Sequence, residues 1–157
     1  LLRGGHTFSF VTGLGRLRPM IKHLAEQYGV PGKMASVRSV DIPVLEFEQD
    51  LDRTKAALAE VAVRAVEEDG ADAIVFGCTG MLGCADAVRA GLLAKGYDIP
   101  VIDPVPLAVR IAATLIERGV SHSKITYEKP PINEKPPIKP VTGYEMPPLN
   151  VTSEAAE

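Results

Sequence analysis

Cysteine is scarce in these 157 residues: only Cys78 and Cys84 occur, six positions apart. Two so close together are too few for a disulfide framework, which excludes the small stapled secreted scaffolds. An excess of one charge is also missing, because 17 Lys and Arg stand against 20 Asp and Glu for a net charge of -3. A nucleic-acid-binding protein would usually carry a basic patch or a high isoelectric point, so that class is not expected. No apolar run approaches the roughly 18 residues needed to span a bilayer, so no membrane partner is expected. The opening Leu1-Leu2-Arg3-Gly4-Gly5 has no initiating Met and does not read as a signal peptide. What is present is ordinary: 46% hydrophobic and 24% charged residues, as in average globular domains. A chain of this length buries about two-thirds of its unfolded surface and needs no metal or disulfide to fold. The expectation is a cytoplasmic α/β domain, cut from something longer.

The composition changes at Glu128. Seven of the 13 prolines fall between Pro130 and Pro148, and Glu128-Lys129-Pro130-Pro131-Ile132 recurs as Glu134-Lys135-Pro136-Pro137-Ile138. Paired prolines force extended geometry and remove backbone donors, so this stretch continues neither a helix nor a central strand. The expected organisation is an α/β lobe over residues 1–127 and a Pro-rich tail over 128–157. The tail reads as disordered or extended, or as a ligand for a proline-reading module. Asn150-Val151-Thr152 matches the glycosylation sequon and reads as coincidence without a secretion signal.

Within the lobe, short apolar runs alternate with helical periodicity. Phe8–Thr12 suits a strand. Pro19 opens a helix with an apolar stripe of Met20, Ile21, Leu24 and Tyr28, closed by Gly29. Ile42-Pro43-Val44-Leu45, within Val37–Phe47, is the second strand candidate. Leu51–Glu68 is the clearest helix, stopped by Gly70. Ala73–Phe76 reads as a strand covered on both faces. A helix from about Met81 to Lys95, a fourth strand at Pro100–Ile102 and a last helix over Pro106–Arg118 complete the pattern. Strict alternation of strand and helix predicts an open parallel four-stranded sheet with flanking helices.

Open parallel sheets bind ligands beyond the carboxyl ends of their strands. Three segments reach that edge: Val11-Thr12-Gly13, Phe76-Gly77-Cys78-Thr79-Gly80 and Ile102-Asp103-Pro104-Val105. In the second, a buried strand meets Gly77, which permits a tight turn, and presents Cys78 where a helix is expected to begin. Unpaired N–H groups and a helix dipole there would favour the thiolate, and the Thr79 and Gly80 N–H groups would hold an anion. The alternative reading of Cys78 is a small buried apolar residue, a common fate of free cysteine. Cys84 falls roughly 9 Å further along the same expected helix and about 240° around it, so it reads as packing. The pair lacks the ligand count and spacing of a metal site.

Other candidates carry less. Gly13-Leu14-Gly15 begins like a dinucleotide loop, but Arg18 occupies the sixth position and the fingerprint fails. Thr12 and Gly13 still offer N–H groups to an anion. His6, His23 and His122 read as surface residues, and Asp103 as a cap for the last helix. Arg16, Arg18 and Lys22 form a modest positive cluster suited to acidic substrates.

Five segments occur in an order that resembles a known family: Phe8-Ser-Phe-Val-Thr12, Ala35-Ser-Val-Arg-Ser39, Pro43-Val-Leu-Glu46, Asp72-Ala-Ile-Val-Phe-Gly-Cys-Thr-Gly-Met81 and Pro100-Val-Ile-Asp-Pro-Val105. Over about residues 5–127, including the Ser123-Lys124 and Tyr127 ending, the chain resembles the second half of the aspartate/glutamate racemase superfamily, and most closely its hydantoin racemase branch. The Gly77-Cys78-Thr79-Gly80 segment is the most specific of these matches.

The resemblance implies two similar α/β lobes with substrate between them, each lobe contributing one cysteine, and no cofactor or metal. One thiolate removes the proton beside a carbonyl and the opposite thiol returns one to the other face, since inversion needs an acid and a base on opposite sides. N–H groups hold the charge of the planar intermediate. By the same resemblance Cys78 is the second-lobe acid/base, Thr79 and Gly80 are the anion-holding turn, and Thr12 and Gly13 line the pocket. In the amino-acid branch the cysteine is followed by Thr-His, so Thr79-Gly80 favours a neutral cyclic ureide over a free amino acid. The first lobe is not in these residues, which implies a partner lobe in cis or trans and self-association of an exposed interface. Two alternatives stand beside this reading: a single-cysteine arylmalonate-type decarboxylase, and a non-catalytic lobe kept as a binding module with the tail as its docking segment.

Overall fold

A computed structural model describes residues 6–128 of the chain. One compact unit extends to Val120, and the residues from Ser121 belong to a second. In the second unit the Tyr127 N–H donates to the Ser123 carbonyl (2.9 Å), and the His122 and Tyr127 rings lie 5.4 Å apart. The proline repeat beyond Glu128 and the sequon lie outside the described residues. Among the described residues no helix is long and apolar enough to cross a membrane.

The first unit is built from β1 (Phe8–Thr12), α1 (Arg18–Gln27), β2 (Met34–Ser39), α2 (Leu51–Asp69), β3 (Ile74–Phe76), α3 (Ala85–Leu93), β4 (Val101–Ile102) and α4 (Pro104–Glu117). The four strands form one parallel sheet in the order β2-β1-β3-β4, with Phe10 opposite both Val37 and Val75, and Val75 opposite Ile102. The expected α/β architecture is therefore present. Adjacent parallel strands joined by helical crossovers bring every strand's carboxyl end to one edge of the sheet.

Strand alternation sends Val11, Ile74 and Phe76 into the main core, where they meet Leu58, Ala62 and Ala65 of α2 and Val88 and Leu92 of α3. The two helices approach closely because Gly91 has no side chain: a Cβ there would lie 2.8 Å from that of Ala59. Polar groups lock the sheet's periphery. Asp72 accepts the N–H groups of His6 (2.7 Å) and Thr7 (2.6 Å), fixing the start of β1. Arg38 of β2 donates to both carboxylate oxygens of Asp69 (2.5 and 2.8 Å) and to Glu68 (2.6 Å), tying β2 to the end of α2. α2 is capped by Asp50, which accepts the Arg53 N–H (3.0 Å), and stops at Gly70 with φ +68°, a left-handed conformation that favours glycine.

Several local expectations are corrected. The second strand is Met34–Ser39, and Ile42–Leu45 instead runs through a loop into a single 3-10 turn at Val44–Glu46. Asp41, at φ +53°, turns the chain out of the sheet, and Pro43 has no N–H for a ladder. The α1 stripe is only partly inward: Ile21 and Ala25 are buried, whereas Met20 (62%), Leu24 (39%) and Tyr28 (73%) are exposed. The expected helix over Met81–Lys95 is two elements, a 3-10 turn at Thr79–Met81 and then α3, separated at Gly83 with φ +80°. The last helix starts at Pro104, two residues early, because Asp103 accepts the Val105 N–H (3.1 Å) and caps it, the role expected of that residue. α4 itself has no buried residue.

Candidate active site

Two adjacent strand ends build the site. β1 and β3 run in register from Ser9↔Ile74 to Val11↔Phe76, and the Gly77 N–H extends the ladder by donating to the Val11 carbonyl (2.8 Å). The ends of β1 and β3 thus bring Thr12-Gly13 and Gly77-Cys78 to the same carboxyl edge. The sequence led us to expect a tight turn at Gly77, but its φ is not among the positive ones. Gly77 makes room, since a Cβ at that position would overlap the Phe10 ring.

Cys78 is a free, half-buried thiol on extended backbone (φ −146°, ψ 131°) that leads into the Thr79–Met81 turn. Its carbonyl accepts the Met81 N–H (3.1 Å), which closes that turn. The N–H groups of Thr79 and Gly80 open it, the position where such donors have no partner within a helix. A single 3-10 turn is not the full helix expected at Cys78, so the macrodipole argument for a thiolate loses its source.

Cys84 lies beyond Gly83 rather than on one continuous helix with Cys78, which removes the angular argument made from the sequence. Burial supplies another. Cys84 is 0% exposed within the core cluster, and desolvation pushes its thiol pKa up. It is a packing residue in this lobe.

At the end of β1, Thr12 is also 0% exposed, and its Oγ1 has no hydrogen-bond partner among the described residues. Buried hydroxyls are nearly always bonded, so this one is an exception among the described residues. Gly13 follows, buried, while Thr79 is exposed and Gly80 half-buried. All five residues singled out from the sequence (Thr12, Gly13, Cys78, Thr79, Gly80) gather at this edge.

Phe47 was not singled out and is the residue that spaces the two turns. Its ring is 0% exposed and lies 3.2 Å from where a Gly13 Cβ would stand, and 3.0 Å from where a Gly80 Cβ would stand. The buried Thr54 hydroxyl of α2 holds it by donating to the Phe47 carbonyl (3.1 Å). The available signal was an aromatic ending an apolar, proline-broken stretch seven residues before a helical threonine. Asp41 latches the β1 turn from the other side, accepting the Gly15 N–H (2.9 Å).

The remaining candidates lie elsewhere or act structurally. Asp103 reaches the loop behind the Cys78 turn, accepting the Gly83 N–H at 3.4 Å. Arg18 donates to Ser39 Oγ (3.3 Å), and Arg16, Arg18 and Lys22 are exposed. His6, His23 and His122 are exposed, as expected. Among the described residues no three His, Cys, Asp or Glu side chains gather closely enough to hold a metal ion.

Comparison with known proteins is consistent along the whole lobe. The Asp/Glu/Hydantoin racemase family model matches residues 1–112. The hydantoin racemase of Pseudomonas sp. (strain NS671) is 39% identical over 124 residues, covering 78% of this chain and 48% of that protein. That of Rhizobium meliloti is 40% identical over 126 residues, covering 80% of this chain and 50% of that protein. Among solved structures, an allantoin racemase from Pseudomonas fluorescens superimposes with a TM-score of 0.65 at 36% identity, covering 83% of this chain and 54% of the other. The chain spans about half the length of the curated relatives it matches.

Proposed function

Because the chain belongs to the Asp/Glu/hydantoin racemase family, we propose that it supplies one half of the active site of a cofactor-independent racemase acting at the carbon beside a carbonyl, with a hydantoin-like cyclic ureide as substrate. The observation that carries this reading is the half-buried Cys78 thiol at the carboxyl edge of the sheet, leading into the turn that the Thr79 and Gly80 N–H groups open.

In this reading Cys78 faces one side of the substrate ring. As thiolate it removes the ring-carbon proton, leaving the electron pair in a planar enolate, and becomes a thiol. An acid on the opposite face returns a proton and becomes the base for the reverse passage, so protons balance over one inversion. The Thr79 and Gly80 N–H groups hold the enolate oxygen, the charge that develops only on the way to the transition state, while Thr12 and Gly13 line the pocket. The opposing acid is not Cys84, which is sealed in the core. It belongs to a second lobe in cis or trans, in keeping with a chain half the length of its relatives.

With both lobes present, Cys78→Ser abolishes racemisation of an optically pure hydantoin followed by circular dichroism, and Cys84→Ser leaves most of it. The reverse pattern rejects the assignment. The presence of a single accessible thiol among the described residues also favours a second reading, in which Cys78 protonates an enolate left by decarboxylation of a malonate. Loss of CO2 without racemisation distinguishes it.

A further inference from the structure

We propose that Thr54 is a positioning residue for the candidate site: acting through Phe47, its hydroxyl sets where the turn that begins at Cys78 stands. This rests on the reading of that turn as half of an active site. Thr54 lies near the start of α2 and is 1% exposed. Its backbone N–H donates to the Asp50 carbonyl (3.0 Å), and the Asp50 side chain caps the helix. The hydroxyl's bond to the Phe47 carbonyl is therefore additional to what the helix start requires.

The segment that carries Phe47 has no other such anchor. Among the described residues, the remaining hydrogen bonds of residues 43–49 stay within the segment. The Glu46 N–H donates to the Pro43 carbonyl (2.9 Å) and the Phe47 N–H to that of Val44 (3.2 Å). The Gln49 N–H donates to the Glu46 carbonyl (3.2 Å) and its Nε2 to that of Leu45 (3.0 Å). Such local bonds shape the segment but do not tie it to α2. The Thr54 hydroxyl does, at 3.1 Å across seven residues of sequence, in buried surroundings where an unmatched carbonyl is costly.

What the anchor holds is packed against both turns. The Phe47 ring lies 3.2 Å from a Cβ position at Gly13 and 3.0 Å from one at Gly80, and a Val44 methyl lies 3.2 Å from the latter. Met81, which ends the Cys78 turn, is 0% exposed in the same core cluster as Phe47, and Cys78 packs against that cluster. The Met81 N–H in turn donates to the Cys78 carbonyl (3.1 Å). A displaced ring is therefore felt at Cys78 by direct packing, because a close-packed interior has little space to absorb it.

Two measurements on the full 157-residue chain test this. The Phe47 ring current shifts the amide resonances of Gly13 and Gly80; Gly32, with nothing within 4 Å of its missing Cβ, is the reference. Thr54→Val keeps the side chain's shape and removes its donor. It should move the Gly13 and Gly80 resonances and leave that of Gly32 in place. It should also raise the rate of Cys78 alkylation by iodoacetamide about fivefold, the weight of one buried hydrogen bond. Thr54→Ser retains the hydroxyl and should return both readouts to the parent values. Both are properties of the folded chain, so a loss of overall stability alone moves neither. Phe47→Leu keeps the carbonyl anchor, removes the ring and should raise the alkylation rate as well, which serves if Thr54→Val does not fold. A Thr54→Val chain that loses stability in urea while either readout stays at its parent value overturns the proposal. So does a Thr54→Ser chain that behaves like Thr54→Val, or unchanged alkylation in Phe47→Leu. Neither readout needs a second lobe, so they hold or fail apart from the reading of Cys78 as acid and base, which Cys78→Ser in the two-lobed enzyme decides.

Discussion

The Phe47 ring stands against Gly80 so closely that a methyl group on that glycine would lie 3.0 Å from the ring and 3.2 Å from a Val44 methyl. The ring cannot retreat, because it is fully buried and its own carbonyl is held by Thr54. Gly80→Ala is therefore an overpacking change, expected to cost about 1–3 kcal/mol in denaturant unfolding. Gly32, with nothing within 4 Å of its missing Cβ, is the control: Gly32→Ala should stay within about 0.5 kcal/mol of the parent. Equal costs at the two sites would remove Phe47 from its role as the spacer between the turns.

The two thiols should separate cleanly under alkylation. Cys78 is half-buried at the sheet edge, while Cys84 is enclosed and its pKa is raised by desolvation, so less thiolate is present at any given pH. Iodoacetamide added to the folded chain should label Cys78 alone, with Cys84 modified only after denaturant is added. Mass spectrometry of tryptic peptides reads the site directly, and early labelling of Cys84 would contradict the core position assigned to it.

Thr12 offers a test that separates binding from stability. Thr12→Val keeps the shape and removes a buried hydroxyl with no partner, whose burial costs about 1–3 kcal/mol when unbonded. The variant should be as stable as the parent or more so, by up to about 1 kcal/mol, while the two-lobed enzyme loses activity on hydantoins. A variant that unfolds more readily would mean that the hydroxyl is bonded in the folded chain.

Acid should weaken the lobe through the Arg38 network. The guanidinium hydrogen bonds of Arg38 hold the Asp69 carboxyl below its ordinary value, outweighing the opposing effect of desolvation. A carboxylate depressed on folding contributes stability above its unfolded pKa, near 3.9, and that contribution is lost as pH falls through the lower folded value. Asp72, held down chiefly by the His6 N–H, acts in the same direction. Asp69→Asn should lower stability at pH 7 by roughly 1–2 kcal/mol after allowance for solvent screening. It should also flatten the decline below about pH 4, as followed by thermal unfolding across pH. An unchanged acid limb would place the pH sensitivity elsewhere.

The sequence by itself determined the alternation of strands and helices, the parallel sheet and the edge at which the candidate site residues gather. Those features follow from local periodicity and from where glycine and proline punctuate it. Asp103 was legible as a cap because capping is a contact between near neighbours in sequence. Cys78-Thr79-Gly80 was legible because a buried apolar strand ran straight into it. Only the tertiary structure decided why Gly77 and Gly80 are glycines: the rings they accommodate, Phe10 and Phe47, arrive from 67 and 33 residues away in sequence. It also moved the second strand to Met34–Ser39, since pairing with β1 and the turn at Asp41 outweigh the apolarity of Ile42–Leu45. The helix expected through Met81 broke at Gly83 for a related reason: periodicity reports which residues are apolar, not the backbone angle at one glycine. The same limit hid the fate of α4, whose apolar residues read alike whether they enter this lobe's core or face outward. Burial is a property of the assembled fold, and no local pattern contains it.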